Sequence, residues 1–322
     1  MASTVTSAGT LSNVAVHPAT KAGRRYRSSR KTAARAAGLP AAPGLNLRYF
    51  GGRTIEDLTF THRYLGGARR WSAGDVAHID WALPAAMSDR CLNNVIAQYY
   101  DGFPTSTFGG SKLVDGPLPE RVSRSTVERI VASTDTNGFD TAATVFCFFL
   151  PRDIVLAAEG DDDETVIRLN TALREHDEAG DSKHGLGGYH GSIHRRRGSR
   201  KETIYYAVGV YDEGTNGIVA FPEPWKNICA VFYHELVEAR TDPDIEDAIR
   251  AGGSPGADRF LGWYSPRGGE IGDIPLEEAF DLTDVMKEVT LTGSRRKVPV
   301  QLMWSNAVSG PEGPTSRRRR PA

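Results

Sequence analysis

Three cysteines in 322 residues are too few for a disulfide framework, and Cys91, Cys147 and Cys229 stand too far apart for a C-x-x-C site. Cys147 in "ATVFCFFL" and Cys229 in "NICAVF" lie among apolar neighbours and read as small buried hydrophobes. Nothing in this usage demands an oxidising compartment. No stretch reaches the roughly 18 apolar residues that a membrane span needs, and the N-terminus lacks the apolar core of a secretory signal. There is no G-x-S-x-G nucleophile elbow, "GGSK" at 109–112 lacks the spacing of a phosphate loop, and no internal repeat is visible.

Acidic residues are missing from one end. The first 44 residues carry seven basic side chains and no acid, and Arg317–Arg320 add four more at the other end. Setting those eleven aside turns a net charge of −1 into 28 basic against 40 acidic residues, about −12. An acidic body between basic ends suits a cation more than a nucleic acid, so no dedicated nucleic-acid binding is expected. The run "SIHRRRGSRK" reads as a solvated hairpin tip, with too few aromatics for base stacking. Asp161–Glu164 reads as a solvated acidic turn. Residues 1–44 are expected to be a disordered basic arm, 45–308 a single globular domain, and 309–322 a disordered Arg-rich tail. The composition of the arm also suits a transit peptide. A cytoplasmic location is expected, with organelle targeting by the arm as the alternative.

Hydrophobic patterning places strands at "LNLRYF", "LTFTHRYL", "STFGGSKLV", "ETIYYAVGVYD" and "KVPVQLMW", with "ATVFCFFLP" as a strand buried on both faces. A helix begins after Ser72 and should break or kink at Pro84. Others are expected over "SRSTVERIVAST", with a capping-box start at Ser123 or Ser125, and over "ETVIRLNTALREH". "KHGLGGYHGSIH" reads as a Gly/His-rich loop. The order gives an α+β (mixed α/β) fold without regular βαβ alternation: a central mixed sheet against one late helix, about Glu223 to Arg240.

That helix carries "FYHELVEARTDPD" and ends where Pro243 disfavours the α conformation of Asp242. At 100° per residue, His234 and Glu238 point the same way and Glu235 lies between them and the apolar arc of Ile228, Phe232 and Leu236. Two ligands at i and i+4 with a carboxylate between them suit a metal–water hydrolase: the ligands hold a Lewis-acidic cation and Glu235 takes a proton from water. The motif is H-E-x-x-E. A second-ligand carboxylate is compatible with zinc and makes calcium more competitive. In "PRGGEIGD", Glu270 reads as a third ligand and Asp273 as an acceptor orienting His234, with Gly-Gly easing the approach. His190 in "GYHGS" is the rival third ligand, or faces substrate; Asp242 is a supporting acid. His184 and His194 are weaker candidates.

At these residues the sequence resembles gluzincin zinc metallopeptidases, in which the helix motif is followed by a ligand Glu and a nearby Asp. The resemblance implies a zincin-like fold, His234 and Glu270 as zinc ligands, Glu235 as general base and Asp273 as a supporting acid; Glu238 stands where that family has histidine. The set "GYHGS", "HELVEARTDPD", "GWY…GGEIGD" and "WSN" is also similar to uncharacterised bacterial and fungal proteins distantly related to plant phosphate-induced, EXORDIUM-like proteins. That likeness implies one compact domain and names no substrate. The expectation is a Zn2+-dependent (or Ca2+-dependent) hydrolase, metallopeptidase-like, acting on a peptide or other small polar substrate. Its metal residues would be His234, Glu238, Glu270 and Asp273, and its catalytic residues Glu235 and His190. The alternative is a non-catalytic binding protein whose acid cluster holds a structural ion or a hydrogen-bond network, with Tyr99, Tyr100, Trp263 and Tyr264 as a ligand surface.

Overall fold

The computed structural model describes residues 13–15, 41–158, 180–251 and 256–320. The expected acidic turn at 161–164 and the helix over "ETVIRLNTALREH" lie outside the described residues. The molecule is built on a sheet of six strands: β1 (Asn13–Ala15), β3 (Asp57–Leu65), β4 (Thr105–Val114), β6 (Thr144–Phe149), β8 (Leu186–Arg197) and β9 (Arg200–Gly209), in the order β1-β8-β9-β6-β3-β4. β3, β4, β6 and β9 run parallel, whereas β8 is antiparallel to β9, and β1 to β8. The fold is therefore α+β with a mixed sheet. The remaining strands form small antiparallel or parallel pairs. They are β2 (Arg48–Tyr49) with β10 (Trp263–Tyr264), β5 (Arg121–Val122) with β7 (Val155–Leu156), β11 (Met286–Thr290) with β12 (Lys297–Gln301), and β13 (Met303–Ser305) with β14 (Gly310–Glu312).

β6 occupies the middle of the sheet and every one of its residues is buried, as its unbroken apolar run predicts. Successive side chains alternate between the faces. Val145, Cys147 and Phe149 join a core under α1 (Ala73–Ser88) and α4 (Pro224–Thr241), while Phe146 and Phe148 join a second core under α3 (Arg124–Ser133). Cys147 and Cys229 are free and buried in the first core, as their neighbours suggested. α4 is sealed on all sides: everything from Asn227 to Thr241 is buried, and Phe232 stacks on Phe149 with ring centroids 3.9 Å apart.

Several local expectations change. The helix over Ser72 does not break at Pro84. α1 runs through it to Ser88, because Leu83, Ala86 and Met87 are held in the core. The break comes at Asp89, whose carboxylate accepts the N–H groups of Cys91 and Leu92 and so starts α2 (Arg90–Ile96). Ser123 caps α3 through the Thr126 N–H. The Gly/His-rich segment is a strand, β8, joined to β9 by the basic hairpin tip. Its glycines are there for contact: a Cβ on Gly188 would lie 2.5 Å from the Val208 carbonyl oxygen and 3.2 Å from Val231 on α4. The C-terminal tail is not disordered over its described part. β14 pairs with β13, Thr315 N–H donates to the Cys91 carbonyl, Arg319 N–H donates to the Asn94 carbonyl, and the Arg319 side chain pairs with Glu312. At the other end, Asn13–Ala15 of the expected disordered arm forms β1. No described helix is long and apolar enough to cross a membrane.

Candidate metal centre

α4 brings His234, Glu235 and Glu238 into the interior, where none has any exposed surface. Four residues apart, His234 Nε2 and Glu238 Oε2 come to 2.9 Å. Glu238 Oε1 is held by two backbone donors, the N–H groups of Gly272 (3.0 Å) and Asp273 (3.1 Å). These come from the turn carrying Glu270, which Gly268 and Gly269 allow by adopting φ of 98° and 95°. The turn is tied down by Tyr264 Oη, which accepts the Gly269 N–H, and by the Ile271 carbonyl, which accepts the Trp304 N–H. Asp273 begins α5 (Asp273–Glu278), and its Oδ1 lies 3.7 Å from His234 Nε2.

β8 contributes His190, also without exposed surface. Its Nδ1 is 3.2 Å from Glu235 Oε2 and 3.7 Å from Glu238 Oε2; its Nε2 is 3.8 Å from Glu270 Oε1 and 3.4 Å from the Asp242 carbonyl oxygen. Asp242 terminates α4 and accepts the Gly262 N–H at 2.8 Å. Every residue singled out for the site is thus in one buried cluster. His184 and His194 are elsewhere, paired with Asp181 and Asp247.

The cluster is strongly acidic. Its ion pairs join carboxylates to imidazoles, and Arg240 on the same helix turns away, donating to the carbonyls of Ile55, Glu56 and Thr105. Burial, then the facing Glu238, Asp242, Asp273 and Glu235, hold the Glu270 carboxyl well above its usual range. Burial, then Glu238 and Glu277, do the same to Asp273, and burial, with Asp244 and Glu238 adding, to Asp242. Burial lowers the pKa of His190 against the pull of Glu238. Neither oxygen of Glu270 has a hydrogen-bond partner, and Asp242 Oδ2 has none.

Two triads offer ligand atoms within 4.8 Å of one another: His190–Glu238–Glu270 and His234–Glu235–Glu238. Tetrahedral zinc with bonds of about 2.0–2.2 Å sets its ligand atoms about 3.3–3.6 Å apart, and the 2.9 Å between His234 Nε2 and Glu238 Oε2 and the 3.7 Å between His190 Nδ1 and Glu238 Oε2 lie on either side of that spacing. Either triad could hold a divalent cation.

Two features differ from the sequence reading. Asp273 does not orient His234 from behind; Gln301 on β12 does, with Oε1 2.9 Å from His234 Nδ1. A lone amide in the apolar run "KVPVQLMW" is the only trace it leaves in the sequence. The aromatic ligand surface is also absent as such, since Tyr99, Tyr100 and Tyr264 are buried. No protein-family model matches the chain, and neither a curated protein nor a solved structure matches it.

Proposed function

We propose that the chain is a metal-dependent hydrolase, metallopeptidase-like and zincin-like in its helix-on-mixed-sheet arrangement. His234, Glu238, Glu270 and Asp273 hold a divalent cation with His190 beside them, and Glu235 accepts a proton from water. The observation that carries this is Glu270, a buried carboxylate with no hydrogen-bond partner on either oxygen, facing other acids. A proton would remove its charge yet leave a buried O–H without an acceptor. A cation removes the charge and satisfies several lone pairs at once. The imidazole nitrogen in the donor set favours zinc over calcium. Bound there, the cation supplies Lewis-acid polarisation of water and of a substrate carbonyl. Glu235 takes the proton of the attacking water, the C–N bond of a peptide-like substrate breaks, and the proton passes to the leaving nitrogen. His190 Nδ1, 3.2 Å away, holds the Glu235 carboxylate in place.

The burial of the cluster favours one second reading, a structural ion in a non-catalytic binding protein. Metal analysis of the purified protein tests the centre: stoichiometric zinc, lost in His234→Ala, supports it, and a metal-free protein of equal stability overturns it. Glu235→Gln separates the two readings. In the hydrolase it keeps the metal and lowers turnover by about 10²–10⁴-fold. In a structural centre it lowers stability, and the wild-type protein has no turnover to lose.

A further inference from the structure

Gln301 is fully buried on β12, and its amide bridges two parts of the centre. Its Nε2 donates to the Gly272 carbonyl at 2.6 Å, and its Oε1 lies 2.9 Å from His234 Nδ1. A peptide carbonyl only accepts, so the NH2 group must face Gly272 and the amide oxygen must face the imidazole. That oxygen also only accepts, so Nδ1 carries the proton. A neutral imidazole then presents a lone pair at Nε2, 2.9 Å from Glu238 Oε2. Two acceptors at that distance repel unless a positive centre lies with them. The peptide unit that receives Gln301 on the Gly272 carbonyl uses its N–H, that of Asp273, to hold Glu238 Oε1 at 3.1 Å. Gly272 is tightly enclosed by both ligands: a Cβ there would lie 2.5 Å from His234 Nδ1 and 2.9 Å from Glu238 Oε1.

We infer that Gln301 is a positioning residue: it fixes His234 as the Nδ1–H tautomer and, through Gly272, couples that imidazole to the backbone that grips Glu238. The purpose of this clamp rests on the cation-binding reading above, while the clamp itself is tested without metal. Imidazole ¹⁵N shifts of the metal-free, ¹⁵N-histidine-labelled protein are expected to report the Nδ1–H form for His234. Gln301→Met, which keeps the volume and removes both hydrogen bonds, is expected to lose that fixed tautomer and to weaken zinc binding 10–100-fold in competition with a chromophoric chelator. Gln301→Glu keeps an acceptor at the imidazole but has no N–H for the Gly272 carbonyl, and is expected to recover the tautomer and only part of the affinity, a rescue that a merely space-filling residue would not give. An Nε2–H form in the wild type overturns the inference, as does a folded Gln301→Met protein with wild-type zinc affinity. If no variant and no wild-type protein binds zinc, the metal reading fails, and the tautomer of the wild type alone still decides the clamp. If Gln301→Met does not fold, the wild-type tautomer and Gln301→Glu decide it.

Discussion

Gly272 shows how little room the centre leaves. Its Cα packs where any side chain would press on His234 and Glu238 together. Gly272→Ala is expected to cost about 1–3 kcal/mol, as overpacking of a closed core does, and to weaken zinc binding more than its effect on folding explains. Denaturant midpoints with and without zinc check both. The same scale explains which site residues the sequence made legible. His234, Glu235 and Glu238 stand out because helical spacing puts them on one side, and Glu270 and Asp273 because a Gly-Gly pair precedes them. His190 was visible only as a histidine among small residues, and its segment was misread as a loop: it is a strand in which Gly188 and Gly191 leave room for Val231 and Glu246. Gln301 could not be found, because a hydrogen bond spanning 67 residues has no local signature.

At the scale of elements, α4 is the axis on which the site is mounted. Phe232 anchors it to Phe149 in the central strand, and Gly209 lets the ring approach, since a Cβ there would meet Phe232 at 2.9 Å. Phe232→Ala is expected to lose about 3–5 kcal/mol of stability, measured by chemical unfolding, with metal binding falling in parallel because the helix loses its seat. β6 and α4 were legible because long apolar runs and 3.6-residue periodicity dominate them. Pro84 did not break α1, because packing of the helix outweighed one missing backbone bond. The C-terminal tail misled because its order comes from partners on α2 and β13, which composition does not encode.

For the whole molecule the charge balance of the interior sets the pH response. Asp242, Glu270 and Asp273 have folded pKa values raised above their ordinary 3.8, 4.5 and 3.8. The folded state therefore binds more protons than the unfolded chain above those values, and stability falls as pH rises through the folded pKa values. His190, lowered from 6.5, acts oppositely, losing stability as pH falls below 6.5, and contributes no slope above it. Chelator-treated protein is thus expected to unfold more easily as the pH rises from the ordinary carboxylate range towards pH 8. Zinc should reverse this trend, because ligands lose protons on binding. Zinc at about 100 times its dissociation constant should add about 2.7 kcal/mol. Thermal melts across that pH range, with and without zinc, check both statements.

The bond between Gln301 and His234 also bears on synthesis. His190 and the motif helix are made before β12, the strand that steadies the imidazole. On the cation-binding reading, zinc captured by a chain that still lacks β12 should exchange readily and become tightly held only once that strand has docked.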